Sequence, residues 1–409
     1  VRALVFERKP TRYVAAMAAG RVMPGSGAKV GPLRLRDGEG PDLPGPEWRH
    51  LQPRLAGICG SDLATLDGTS SRYFEPIVSF PFVLGHEIVA DLVDPGDPGA
   101  ALGGSPRVVV EPVLGCVARS ISPVCDACAR GDLGNCERIG FGDLSPGLQT
   151  GFCCDTGGGW STLMAAHTSQ LHVVPDEMTD EAAVMVEPTA CAVHGALAAG
   201  AVAGETIVVL GAGTLGLLTV AALRRFADPG CIVAVAKHPE QRRLARDLGA
   251  DVVAGPGEVR RAVRRVTGTL ALGDGPITRL TGGAAAVFDC VGSEASLTES
   301  LAVVRPRGRI VLLGMAGHTR VDLTGLWQRE LQLLGAYTYG TEHLADGRTR
   351  RTFDLAFELV AAADLGRLVS ATYPLARYAD AIAHAAAAGA RGGVKIAFDL
   401  RNEKERTRA

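Results

Sequence analysis

The sequence predicts an α/β chain of two domains, a β-rich domain followed by a doubly wound parallel sheet. Three observations predict it. The 409 residues are 47% hydrophobic and 21% charged, too long for one ordinary core and too apolar for disorder. The texture changes at about residue 182, from short β-branched runs between Gly/Pro turn signals to strand-like runs alternating with helical ones. A Gly-rich motif then falls directly after the first strand of the second region.

In chain order, "SRYFEPIVSFPFVL", "EIVADLV" and "RVVVEPV" read as short strands bounded by turns. Beyond 182, "TIVVL", "CIVAVA", "AAVFDCVG" and "RIVLLGM" read as strands. Between them "LLTVAALRRFA", "PEQRRLARDLGA" and "EASLTESLAVV" read as helices, which predicts βαβ units and a parallel sheet covered on both faces. Then "TFDLAFELVAAADL" and the Ala-rich "ADAIAHAAAAGA" are expected helices and "GVKIAFDL" a closing strand, while "RNEKERTRA" is expected to be a frayed tail. The expected division is 1–181, 182–339 and 340–409. There is no internal repeat.

A formal net charge of −2, from 42 basic and 44 acidic residues, supplies no field for holding nucleic acid or an anionic membrane, so a small-molecule partner is expected. The start "VRALVFERKP" lacks an apolar core of signal-peptide length, and later apolar runs are broken before they could span a bilayer. A cytoplasmic protein is the expectation. In that reducing compartment, four of the ten cysteines within "CVARSISPVCDACARGDLGNC" are expected to hold metal rather than form disulfides.

The motif in "IVVLGAGTLGLLTVAAL" is Gly211, Gly213 and Gly216, set between the strand 207–210 and a helix opening at Thr214 and Leu215. Gly211 permits a tight turn, Gly213 lets a pyrophosphate approach the backbone, and Gly216 lets helix and strand pack closely, with phosphate at the helix N-terminus. About 20 residues on, an Asp or Glu would read a ribose 2′-hydroxyl. This chain instead has Ala236, then Lys237 and His238, with Arg242 and Arg243 further on. A missing carboxylate and added cations favour NADP, with NAD as the alternative.

"AGICGSD" places Cys59 after a strand, "FVLGHEIVA" places His86 and Glu87 on a turn into another, and "AAVMVEPTACAVH" places Glu187 where the two regions meet. A thiolate, an imidazole and a carboxylate are ligands that Zn2+ takes, and a catalytic zinc keeps one position open. The motifs "GICGSD", "GHE", the four-cysteine lobe, "EP" and "GAGTLG" stand in the order found in the zinc-dependent medium-chain alcohol and polyol dehydrogenases, which the chain resembles over nearly its whole length.

That resemblance implies a GroES-like catalytic domain, a Rossmann domain inserted before the C-terminal segment, and a homodimer or homotetramer. It implies a catalytic zinc on Cys59, His86 and Glu187, with Glu87 beside the metal as an alternative ligand. Ser61 matches the hydroxyl that relays the substrate proton and is also placed to cap the helix "SDLATL". The histidine that often continues the relay is Ala64 here, so the proton must leave by another route. The implied substrate is a secondary alcohol, a polyol or the matching ketone.

The lobe, at about 112–140, departs from the family pattern: its cysteines are spaced x8, x2, x7, and Ser122 occupies the place of the usual first one. A zinc needs four ligands, so Cys116 is expected to join Cys125, Cys128 and Cys136 on one structural ion, giving two zincs per chain. His194 is expected to be structural, and Cys153 and Cys154 to be core thiols beside the lobe. The N-terminal run from Arg12 to Gly45 is longer than the fold needs. Two other readings compete: a zinc-free enone or quinone reductase of the same fold, and a non-catalytic dinucleotide-binding redox sensor.

Overall fold

A computed structural model of the chain describes residues 1–93, 107–200, 202–273, 278–344 and 346–403. The chain forms two compact units, one of Val1–Glu187 with Asp364–Ala409, the other Pro188–Ala363. Each has its own sheet and core.

The first unit is built on strands Val369–Tyr373, Lys395–Asp399, Trp48–Gly57, Ile88–Leu92, Arg107–Val110 and Leu171–Val173, side by side in that order, with Met164–His167 pairing the start of Trp48–Gly57. A smaller sheet holds Leu33–Asp37, Arg2–Phe6 and Phe82–Val83. The strand Lys395–Asp399 runs antiparallel to Trp48–Gly57 with Ala397 opposite Gly57, so the chain's last strand lies beside one of its first. One core gathers Leu4, Phe6, Leu84, Trp160, Ile396 and Phe398 between the sheets.

Two segments of this unit differ from the sequence reading. "SRYFEP" does not extend: Arg72–Ile77 is a 3-10 helix, and only Phe82–Val83 downstream pairs as a strand. Pro76 cannot donate to a ladder, and Ser71 accepts a hydrogen bond from the amide of Tyr73, which closes the turn instead. The long N-terminal run forms helices Pro10–Val22 and Gly27–Val30. Pro10 suits a first helical turn, and the buried Asp67 carboxylate accepts from the amides of Gly25 (2.7 Å) and Gly27 (3.0 Å), anchoring the bend between them.

The second unit carries a six-stranded sheet, parallel throughout. Its strands in chain order are Thr206–Leu210, Cys231–Val235, Val252–Ala254, Ala284–Asp289, Val304–Leu312 and Gln332–Gly335, and their order in space is 3-2-1-4-5-6. Helices Thr214–Phe226, Pro239–Asp247, Val259–Thr267 and Glu294–Val303 connect them. This is the Rossmann order, with the strand sequence reversing between the first and fourth strands, where such sheets take their ligand. Buried Val208, Val233, Val287 and Ile310 form the core beneath the helices.

The units divide at 187/188 and 363/364, against the expected 181/182 and 339/340. Residues 340–363 stay with the parallel sheet because Thr352 Oγ1 donates to Glu342 (2.7 Å), which also holds His194 Nδ1 (2.8 Å), and because Tyr339 packs edge-on against Phe353. The expected frayed tail is anchored at its start: Arg401 pairs with Asp399 and Asp180, and Glu403 is buried. The remainder of that tail lies outside the described residues. No described helix is long and apolar enough to cross a membrane.

Candidate active site

The strand Trp48–Gly57 delivers Cys59 to the N-cap of helix Gly60–Leu66. Asp62, fully buried, turns back and accepts from the Cys59 amide at 2.9 Å, so this helix is capped by Cys59 and Asp62 and not by Ser61. Ser61 sits one position beyond Gly60 in the first turn, with its carbonyl accepting from Thr65 Oγ1. His86 is 4% exposed and stands on the turn Gly85–Glu87, where Gly85 has φ +96° and a Cβ would strike Trp160 at 2.4 Å. Its Nδ1 lies 3.5 Å from Asp62 Oδ1, and both of these buried atoms lack a hydrogen-bond partner. Burial opposes charge on the imidazole, yet Asp62 and Cys59 outweigh it, and the pKa of His86 stands well above its ordinary value.

Sequence reasoning missed two members of this neighbourhood. Asp62 is one; its position behind His86 is the arrangement by which a carboxylate orients a metal-bound imidazole. The other is Lys395, fully inside the unit, whose Nζ lies 2.5 and 2.6 Å from the two Glu87 oxygens. Gly57 makes room for this pair: a Cβ there would fall 1.8 Å from Glu87 Oε2. Burial works against the Lys395 ammonium, but Glu87 and Cys59, with a further contribution from Glu187, raise its pKa overall. Both Glu87 oxygens are therefore engaged by a buried cation, while Glu187, 4% exposed, opens the helix Val186–Ala198.

Among the described residues, one group of metal-ligand side chains is drawn together tightly: Cys116, Cys125, Cys128 and Cys136, with all four sulfurs within 4.8 Å of one another. Cys116 Sγ lies 3.7 Å from Cys136 Sγ. Four sulfurs at a Zn–S bond of about 2.3 Å stand roughly 3.8 Å apart, so the quartet fits a tetrahedral zinc. Cys116 reaches in despite its long interval because the chain turns at once after it, with the amides of Arg119 and Ile121 both bonded to its carbonyl (3.1 and 2.9 Å). Cys59, His86 and Glu187 are not gathered to that degree, although the chemistry of the set and the orphaned Asp62–His86 contact suit a zinc. No disulfide joins any of the ten cysteines. Cys153 is buried against Trp48, Leu114 and Leu144, beside the lobe.

In the second unit each glycine of the motif meets a distinct demand. Gly211 has φ +89°, a Cβ on Gly216 would fall 1.7 Å from the Gly211 carbonyl oxygen, and a Cβ on Gly213 would meet nothing within 4 Å. Gly213 is the exposed N-cap of helix Thr214–Phe226, and the first turn of a helix, here from Thr214 and Leu215 onward, is where backbone amides outside the helical ladder can take a phosphate. At the end of the next strand Ala236 is buried and Lys237 exposed, and His238 caps helix Pro239–Asp247. Arg242 Nε donates to the Ala236 carbonyl (3.1 Å), which holds its guanidinium at the strand end. Arg243 is spent on Glu240 and Asp247.

Residues 45–176 match the model of the alcohol dehydrogenase GroES-like domain, and residues 214–362 that of the zinc-binding dehydrogenase. The chain is 25% identical over 363 residues to L-idonate 5-dehydrogenase of Vitis vinifera, covering 87% of this chain and 89% of that one. It is 25% identical over 319 residues to sorbitol dehydrogenase of Bacillus subtilis (strain 168), covering 75% and 82%. A Sinorhizobium meliloti 1021 protein bound to NADP superposes with a TM-score of 0.69 at 23% identity, over 97% of this chain and 98% of that one. Acetophenone reductase of Geotrichum candidum NBRC 4597 in complex with NAD gives 0.69 at 20%, over 98% of each chain. With a GroES-like unit, a 3-2-1-4-5-6 sheet and both family models matched in order, the chain belongs to the zinc-type medium-chain dehydrogenase/reductase family and is an enzyme of the alcohol dehydrogenase type.

Proposed function

We propose that this chain transfers hydride between a secondary alcohol or polyol, or the matching ketone, and a nicotinamide dinucleotide, with NADP preferred. The observation that carries the reading is the buried His86, backed by the buried Asp62, whose carboxylate also holds the amide of the half-buried Cys59. Cys59, His86 and Glu187 would hold a catalytic zinc, and the cysteine quartet a structural one. Glu87 is the weaker candidate as a resting ligand because Lys395 engages both of its oxygens. A zinc held there supplies Lewis acidity toward the substrate oxygen.

The chain's own groups do the rest. Asp62 fixes the imidazole, and Ser61, in the first turn beyond Cys59, accepts and returns the substrate proton. Ala64 offers no group to carry that proton onward, so it leaves through water or a cofactor hydroxyl. The turn Gly211–Gly216 binds the pyrophosphate, and Arg242 with Lys237 and His238 meets a 2′-phosphate where an NAD-specific site would present a carboxylate. The retained ligand set speaks against the zinc-free reductase, which needs none of it, and against a pure redox sensor.

A homodimer or homotetramer is the assembly we infer. The outermost strand Gln332–Gly335 leaves an unpaired sheet edge among the described residues, with Leu333 47% and nearby Trp327 78% exposed. Ten thiols free of disulfides suit a reducing, cytoplasmic setting.

The test is a panel of secondary alcohols, polyols and ketones with NADP(H) and NAD(H), followed by nicotinamide absorbance with and without chelator. Turnover that a chelator abolishes is expected. Arg242→Ala should raise KM for NADP about tenfold or more and leave NAD unchanged, given about 1.5–3 kcal/mol for a charged hydrogen bond. Absence of turnover with either cofactor in either direction would overturn the assignment.

A further inference from the structure

Arg119 lies three residues past Cys116 and is completely buried, yet the hydrogen-bond partners of its guanidinium among the described residues are backbone carbonyls and not carboxylates. Its guanidinium donates to five backbone carbonyls: Nε to Leu114 (3.0 Å), one terminal nitrogen to Phe141 (3.2 Å), Leu144 (3.2 Å) and Ser145 (3.3 Å), the other to Gly147 (2.7 Å). Its own carbonyl accepts from the Asp143 amide (3.1 Å). Leu114 precedes the first cysteine of the quartet and 141–147 follow the last, so one side chain ties together the two ends of the lobe. A buried cation served only by neutral carbonyls is costly unless a counter-charge is near. The acidic groups that act on it through space are the Cys153 thiol first, then Cys136, the Asp155 carboxylate and Cys116.

We propose that Arg119 is the counter-cation and closing staple of the four-cysteine site, so that metal loading and closure of the lobe form one linked equilibrium. A divalent ion on four thiolates leaves a net charge of −2 in this buried setting, and Arg119 offsets half of it. The metal-free quartet lacks that charge and leaves the guanidinium with neutral carbonyls and the field of Asp155 alone, so closure of the lobe is weakened. By linkage, what the cation does for the metal the metal does for the staple. The inference rests on reading the quartet as a metal site.

The test uses the full chain and Co2+ as probe, reading the thiolate-to-cobalt charge-transfer band and the affinity by chelator competition. Arg119→Met is expected to weaken cobalt binding by about 10–100-fold, the usual cost of losing a partner just outside a metal's ligands. Arg119→Lys keeps the charge without the five-way fork and should fall between the two. Wild-type affinity in Arg119→Met overturns the proposal, and equal losses in Met and Lys overturn the counter-charge. If wild type shows no tetrathiolate band, the metal reading itself falls and takes this proposal with it. Should the variants not fold, wild type stripped of metal decides: amide exchange at Asp143 and Ser145 should accelerate at least tenfold while the sheet of the same unit stays protected. Unchanged protection there would sink the linkage.

Discussion

Replacing Lys395 by Met removes the cation from a pair whose side chains are 2% and 1% exposed and whose N···O distances are 2.5 and 2.6 Å. Glu87 would then be a buried carboxylate without its counter-ion, a change worth about 3–5 kcal/mol. For a unit of roughly 230 residues, at about 2–4 °C per kcal/mol, the melting temperature should fall by about 6–20 °C. Lys395 has its pKa raised in the folded state, burial being outweighed by Glu87 and Cys59. Its stabilisation is therefore fully present below the unfolded lysine value of about 10.4 and is lost only as pH climbs through the higher folded value. The wild-type pair therefore stays intact from pH 6 to 9, and calorimetry at pH 8 should report the penalty. Lys395→Met combined with Glu87→Gln should recover most of the loss, because a neutral amide no longer needs a buried cation. A melting temperature within about 2 °C of wild type for the single variant, or strict additivity in the double, would refute the reasoning.

Gly216→Ala places a methyl 1.7 Å from the Gly211 carbonyl oxygen, so the turn must shift; dinucleotide affinity by titration calorimetry should drop more than tenfold, and an unchanged Kd would contradict the assignment of the loop. Gly213→Ala has open space and should melt like wild type while still losing affinity, which separates a binding role from a packing one. Burial pushes the Cys290 thiol up to about 12 and the Cys153 thiol up to about 11. Each adds stability that is intact below the ordinary thiol pKa of about 8.5 and is lost as pH rises through those values, and both should resist iodoacetamide in native protein at pH 8. Rapid labelling of either, read by mass spectrometry, would contradict the raised thiol pKa values.

What could be read in the sequence is what is local in the chain. The Gly211–Gly216 turn carries its function within six residues, and alternating apolar and helical runs announce the sheet around it, because a parallel strand is buried on both faces and reads as a continuous apolar run. Cys59 and His86 stand in short stretches with a chemistry of their own. The segments misread are those where local signals conflict: "RYFEPI" is aromatic and β-branched enough to suggest a strand, but Pro76 and the Ser71 turn decide for a 3-10 helix. The helix Pro10–Val22 has little amphipathic character, since its buried positions are Ala16 and Gly20 rather than large apolar residues. Arg119 in "CVARSIS" looks like a surface charge; only the fold, by bringing 141–147 over it, adds four carbonyls to that of Leu114. Lys395 and Glu87 are 308 residues apart, and no spacing rule connects them.

That last separation says how the candidate active site is made. Cys59 and Glu87 come from neighbouring antiparallel strands, in which the Gly57 amide bonds the Glu87 carbonyl at 2.8 Å. Lys395 arrives only when the closing strand pairs on the other side, the Ile58 amide bonding the Ile396 carbonyl at 2.9 Å. Side chains alternate along a strand, so a slip of one residue in this register would send Lys395 to the opposite face and set Ile396 against Glu87. The register is held by contacts on both sides of it: Phe398 packs edge-on against Trp160, whose Nε1 donates to the Gly57 carbonyl at 3.1 Å, and Arg401 pairs with Asp399 and Asp180. The charge that neutralises Glu87 beside Cys59 is set by packing at the far end of the chain. A site legible as three motifs in its ligands depends for its electrostatics on a fourth segment that carries no motif at all.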